Sequence, residues 1–247
     1  MTSETPERSL RLGILQCDSV APELQPQFGD YPDMFKTMLG TGGPPMTFAV
    51  YDLTRDEFPS APDECDAWLF TGSVWSAYDA DEWISRAHEF VRALHAERRP
   101  MIGICFGHQL IARALGGEVA AAQAGWGVGV HTAFVSEHPR WMEPHRESLP
   151  LLVSHQDQVS RPPEGATVLA SHAFCPYDML QIDEHVLTFQ GHPEFEPGYI
   201  RALIERRREV IGEPTAQSGI DSLSEPTEGE IARTWIHNFL RNAASCD

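Results

Sequence analysis

The 247-residue chain has no apolar run long enough to cross a bilayer. Basic residues are scarce, with 18 Lys and Arg against 36 Asp and Glu, a formal net charge of −18. That balance argues against nucleic acid or membrane as a partner, because both are bound through basic patches. The densest basic cluster, Arg206-Arg207-Arg208, reads as the wet face of a helix. Cysteine is sparse and scattered, at positions 17, 65, 105, 175 and 246. Such spacing gives neither a zinc ligand set nor a disulfide ladder, and it suits a reducing compartment. The histidines, His131 and His172 among them, show no ligand spacing, so no catalytic metal and no cofactor is expected. Met1 to Ser9 is polar, without the apolar centre of a signal peptide, and the expected location is the cytoplasm. With no internal repeat, low-complexity tract or linker, residues 1–247 read as a single domain.

What the sequence does hold is a corner. The run Pro100-Met-Ile-Gly-Ile is strand-like, enters Gly103-x-Cys105-x-Gly107, and leaves as a helix-like segment through Leu115. In a strand-turn-helix corner the central residue is forced outward, and flanking glycines permit a bend that side chains would block. Cys105 is therefore expected to face solvent at a helix start, where free N–H groups and the helix dipole favour a thiolate. The same N–H groups, that of Phe106 in particular, can hold a developing oxyanion. Alone, the motif fits a buried structural cysteine equally well.

About ninety residues on, Thr188-Phe-Gln-Gly-His192-Pro-Glu194-Phe offers a histidine and a carboxylate two positions apart, with Pro193 keeping His192 out of helical geometry. Cys105, His192 and Glu194 can then serve as nucleophile, base and orienter. With these motifs the chain resembles the class I (triad) glutamine amidotransferases, whose glutaminase domains carry Gly-x-Cys-x-Gly-x-Gln and a later His-Pro-Glu. Val153-Ser-His-Gln-Asp157-Gln-Val159 is similar to the Ser-His-x-Asp-x-Val of the glutaminase domain in GMP synthetases. The resemblance spans roughly residues 10–200, and its motifs come in the family's order.

The resemblance implies a flavodoxin-like α/β fold: an open, mostly parallel sheet flanked by helices, with a smaller antiparallel extension. It also implies an activity, hydrolysis of glutamine or another γ-glutamyl compound through a cysteine thioester. Carried over residue by residue, Gly72 becomes an oxyanion donor beside Phe106, and Gln109 contacts the substrate's amino-acid end. Asp157 is the candidate for the α-ammonium. The loop Thr71-Gly-Ser-Val-Trp75 departs from the Gly-Pro form of many biosynthetic members and looks more like free-standing ones. Three readings follow: a glutaminase with a separate ammonia-acceptor protein, a γ-glutamyl peptidase, and a non-catalytic binding protein on the same fold. The intact triad counts against the third.

The remaining pattern fills in the architecture. Leu10–Gln16, Thr47–Leu53 and Ala67–Phe70 read as strands, with a short helical piece at Met34–Leu39. Glu82–Arg98 is an amphipathic helix with Asp81 placed to cap it. Gly125, Gly127 and Gly129 read as hairpin or bulge residues, since no helix follows them as a phosphate loop requires. Residues 137–150 are expected to cross the surface, and short apolar runs from Leu151 to Phe189 to extend the sheet antiparallel. A helix from Pro197 to Ile211, a loop over Gly212–Pro226, and a final helix opened by a capping box at Thr227–Glu230 complete the reading. Trp75 and Tyr78 read either as one wall of the pocket or, as aromatic residues near a strand end more often are, as core. Cys17 and His108 read as structural, and His155 as either an orienter of the Asp157 loop or an ordinary strand-end residue.

Overall fold

Strands that read as unbroken apolar runs need cover on both faces, and here they take the centre of one nine-stranded sheet. The computed structural model describes residues 9–243. The first half comprises β1 (Leu10–Gln16), α1 (Gln25–Phe28), α2 (Tyr31–Leu39), β2 (Met46–Asp52), β3 (Ala67–Phe70), α3 (Glu82–Ala96), β4 (Met101–Ile104) and α4 (Phe106–Ala114). Six short strands follow: β5 (Glu118–Ala121), β6 (Gly127–Val135), β7 (Ser148–His155), β8 (Asp157–Arg161), β9 (Ala166–Ser171) and β10 (Met179–Ile182). The chain continues through β11 (Val186–Phe189), α5 (Pro197–Arg206), α6 (Arg208–Ile211), α7 (Glu213–Ser222) and α8 (Gly229–Ala243).

The sheet order is β2-β1-β3-β4-β11-β10-β9-β6-β7. Its first five strands are parallel, in the doubly wound order of flavodoxin-like folds, and the other four run antiparallel. All four residues of β3, of β4 and of β11 are buried. One face is covered by α2 and α8 through Phe35, Leu39, Trp235 and Phe239. The other is covered by α3 and α4 through Ile84, Val91, Leu110 and Ile111. The carboxyl ends of β3, β4 and β11 thus share one edge, which is where sites assemble in such sheets.

Several expectations need correction. Gly212–Pro226 is not a loop but holds α7, which starts beyond Gly212 (φ +88°) with a proline in its first turn and buries Ala216, Gly219 and Ile220. The helix from Pro197 is broken at Arg207 into α5 and α6. Asp157–Arg161 pairs with β5 in a separate two-stranded sheet, too short and polar for its alternation to stand out. In the 137–150 segment, Trp141 and Met142 are buried, Trp141 against Phe239. Asp81 occupies the cap of α3 without a side-chain bond. At α8 the first helical carbonyl belongs to Glu228, which accepts from Ala232 N–H, so Thr227 is one residue too early. Gly129 sits in regular register with Val153, so it marks no bulge. A Cβ there would lie 2.6 Å from the Gly219 carbonyl, so the glycine admits α7 against β6.

Gly103 and Gly107 serve the same purpose at the cysteine corner. A Cβ on Gly107 would meet the Phe70 carbonyl and lie 2.7 Å from Phe70 Cβ, and one on Gly103 would lie 2.7 Å from the Gly107 carbonyl. Gly107→Ala is thus expected to lower stability by about 1–3 kcal/mol, the usual range for overpacking, read from urea unfolding, and to reduce any activity at Cys105. An unchanged midpoint would mean that α4 can back away from β3 freely.

Candidate active site

Cys105 follows the last residue of β4 and caps α4 with φ +52° and ψ −103°, a conformation rare for a residue with a side chain. Its own N–H donates to the Phe189 carbonyl at 2.8 Å, and its carbonyl accepts from Gln109 N–H at 3.1 Å. Gly107 N–H donates to the Thr71 carbonyl at 3.1 Å, which ties the corner to the end of β3. The side chain is 5% exposed, so it does not stand out in solvent as a bare corner would. Instead it lies in the wall of a cavity of about 250 Å³. Phe106 N–H is in the first turn of α4, where no helical carbonyl can accept from it. Gly72 lies so close that a Cβ on it would be 3.0 Å from His192 Cε1 and 3.7 Å from Cys105 Cβ.

His192 comes from the loop after β11. Its backbone N–H donates to the Leu152 carbonyl at 2.8 Å, and its ring stacks on Phe195 at 3.9 Å with a 4° interplanar angle. Nδ1 meets Glu194 Oε1 at 2.7 Å, which leaves the other ring nitrogen for Cys105, its second side-chain partner. Burial by itself favours the neutral imidazole, but the Glu194 carboxylate and then Cys105 outweigh it and raise the His192 pKa to about 10. The site is therefore suited to holding an imidazolium against the Glu194 carboxylate.

Gln109 and Asp157 line the same cavity as Cys105. Gln109 Nε2 donates to the Asp157 carbonyl at 2.8 Å and to Gln190 Oε1 at 3.1 Å. His155 Nδ1 lies 3.0 Å from that same carbonyl, so His155 does orient the Asp157 loop, and burial holds its pKa down to about 3. The Asp157 carboxylate accepts from Ser76 Oγ at 2.5 Å and from Tyr78 Oη at 3.2 Å. His108 instead meets Thr188 Oγ1 at 2.8 Å inside the fold, and Cys17 is fully buried under Thr71, both as structural residues.

Arg207 was not expected here. Rather than sharing a wet face with Arg206 and Arg208, it turns into the cavity with Trp75 and Trp126, and its Nη1 lies 3.5 Å from Ser154 Oγ. A signal was there in the spacing: Arg207 stands four residues from Leu203 and Ile211 and three from Ile204, on the face that those apolar residues define, whereas Arg206 and Arg208 flank it. Together Arg207 and Asp157 give the cavity one cationic and one anionic wall.

Because the folded-state pKa of His192 lies above its unfolded value of 6.5, its pairing stabilises the fold fully below pH 6.5. That contribution is lost as pH rises through about 10. The stability difference between wild type and His192→Gln, from urea unfolding, should therefore be smaller at pH 10 than at pH 6.5. A difference independent of pH would mean that the imidazolium is not what Glu194 holds.

The model of the glutamine amidotransferase class I family matches residues 47–207. Gamma-glutamyl peptidase 2 of Arabidopsis thaliana is 27% identical over 240 residues, covering 94% of this chain and 96% of the relative. The glutamine-hydrolyzing GMP synthase of Sulfolobus acidocaldarius has a subunit that is 32% identical over 143 residues, covering 58% of this chain and 74% of the relative. Among solved structures, a glutamine amidotransferase from Thermotoga maritima superposes with a TM-score of 0.75 at 15% identity, covering 94% of this chain and 99% of that one. Fold, motif order and family match agree: the chain belongs to the class I glutamine amidotransferase family.

Proposed function

We propose that this protein, acting as one domain, hydrolyses γ-glutamyl amides through a thioester on Cys105. The observation that carries the reading is the meeting of Cys105 and the 2.7 Å His192–Glu194 pair at one sheet edge, inside a cavity with oppositely charged walls. The Cys105 thiolate attacks the γ-carbonyl, and the N–H groups of Gly72 and Phe106 take the oxyanion. One such donor is worth roughly 2.7–4 kcal/mol of barrier. As the C–N bond breaks, the His192 imidazolium gives its proton to the departing nitrogen. His192, now neutral, takes a proton from water, whose oxygen attacks the thioester, and glutamate leaves as Sγ is released. Glu194 keeps the imidazole in the productive tautomer and offsets its charge throughout. Asp157 receives the α-ammonium, and Gln109 fixes the loop that carries it.

The leaving amine is the amino group of a γ-glutamyl peptide in preference to ammonia from glutamine. Arg207 offers a guanidinium for a carboxylate, and Val74 and Val210, 61% and 71% exposed, extend the cavity lining outward as apolar surface. The near full-length match to a γ-glutamyl peptidase supports the same choice. Under the glutaminase reading, supported by the shorter match to part of a GMP synthase, ammonia would pass to a separate acceptor protein.

The test is glutamate release from glutamine and from γ-glutamyl dipeptides, with Cys105→Ala as blank. Release from dipeptides at higher kcat/KM than from glutamine is the expected result, and Arg207→Ala should raise KM for dipeptides about 10- to 100-fold, the scale of a hydrogen bond to a charged group. Preference for glutamine would instead return the search to an ammonia acceptor. Equal release by wild type and Cys105→Ala would remove the catalytic reading.

A further inference from the structure

We propose that His95, Asp183 and His185 form a binding site for one divalent transition-metal ion, zinc by ligand type, at the end of the sheet remote from Cys105. Among the described residues, these three form the group of His, Cys, Asp and Glu side chains able to share an ion: one ligating atom of each lies within 4.8 Å of the other two. His95 is in the last turn of α3, while Asp183 and His185 flank Glu184 in the turn between β10 and β11.

The two imidazoles face each other, His95 Nδ1 lying 3.0 Å from His185 Nε2. At that distance at least one of these two facing nitrogens carries a lone pair in any compatible pair of neutral tautomers, and His185 is 3% exposed, so that lone pair lies away from bulk water. An ion between the rings would accept both facing lone pairs. Nitrogens about 2.0–2.1 Å from a tetrahedral ion stand roughly 3.3 Å apart, so the rings need to part by only a few tenths of an ångström. The Asp183 carboxylate, with an oxygen within 4.8 Å of one nitrogen of each ring, adds the third ligand. Two imidazoles and one carboxylate suit zinc and its neighbours, whereas calcium and magnesium prefer all-oxygen sets. Asp183 and His95 are partly exposed, which provides an entry path and a position for water.

The turn is already fixed for this. Asp183 has φ +51° and its carbonyl accepts from Gln181 Nε2 at 2.7 Å, while the His185 carbonyl accepts from Met101 N–H at 2.7 Å. Arg98 and Glu184 join the same two segments at 3.5 Å. A bound ion would staple the end of α3 to the β10–β11 turn, linking segments far apart in the chain. It lies beside the first residue of β4, whereas Cys105 follows the last, roughly 13 Å along the strand. The ion is therefore structural and takes no part in hydrolysis. A ligand set drawn from a helix end and a distant turn leaves no spacing signature in sequence.

The experiment is calorimetric titration of the chelator-treated full chain with Zn²⁺, and with Co²⁺ followed by absorbance. Both use a Cys105→Ala background, because the active-site thiol is itself a zinc ligand. One tight equivalent, a tetrahedral Co²⁺ spectrum and a rise in Tm with Zn²⁺ are expected. His95→Gln with Asp183→Asn should weaken that equivalent roughly 100-fold or more while leaving the circular dichroism unchanged, since Asn tolerates the positive φ at 183. His138→Gln with His145→Gln, which removes a stacked histidine pair elsewhere with ring centroids 4.0 Å apart, should leave it intact. No tight equivalent, equal binding by the His95/Asp183 variant, or loss of binding in the His138/His145 variant would each overturn the proposal.

Discussion

The φ of +52° at Cys105 is the constraint on which the site rests. A side chain in that region of backbone space costs about 1–3 kcal/mol and persists only where its surroundings over-determine it. Here they do. Three backbone bonds, to Phe189, Gln109 and Thr71, each contribute about 0.5–1.5 kcal/mol net, enough together to offset the strain. The last of them, from Gly107 N–H to the Thr71 carbonyl, needs Gly103 and Gly107 to let α4 lie against β3 with no intervening Cβ. The glycines are thus needed for close approach, while the unusual dihedral angle belongs to the cysteine, whose thiol is turned toward the cavity as a result.

Burial then determines the electrostatics. An imidazolium enclosed by the fold is unstable unless an anion is enclosed with it, and the Glu194 side chain, fully shielded from solvent, is that anion. Phe195 stacked on the ring excludes water from one face of His192, which strengthens the pairing and fixes the ring plane. The Pro193 bend lets two residues so close in sequence meet side by side. Pro193, Glu194 and Phe195 also line a second cavity of about 320 Å³, together with Phe28, Met34 and Met38.

How far the sequence could be read depended on whether the cause was local. The strands β1 and β3 and the corner at Cys105 follow from apolar runs and glycine placement, and they appear where those patterns put them. The family resemblance implied the mostly parallel sheet, and the short apolar runs from Leu151 onward the antiparallel extension, except that the last of those runs, β11, pairs parallel with β4 and belongs to the core. What could not be read was set by tertiary contact. α7 is weakly amphipathic, and its Gly219 packs on β6 in a way visible only once Gly129 is seen opposite. Strand β8 is held by pairing to β5, not by its own pattern. The cavity that Cys105 lines is walled in part by Trp75, Trp126 and Arg207, which come from three separate segments.

Arg207 illustrates how a local break acquires a chemical use. A helix continuing regularly from Pro197 would carry successive residues around its axis by about 100°, and no two of the three arginines would share a direction. Ending α5 at Arg206 and starting α6 at Arg208 leaves Arg207 at φ −103°, ψ 9°, free to turn inward, while Arg206 pairs with Glu23 and Arg208 with Glu205 and Glu213. The outer two arginines are thus neutralised by surface carboxylates, and the middle one donates to a serine hydroxyl at 3.5 Å. In a chain of net charge −18, a cation directed into the cavity that Cys105 lines, and held there by a hydroxyl in place of a carboxylate, is suited to pairing with an anion that enters from outside.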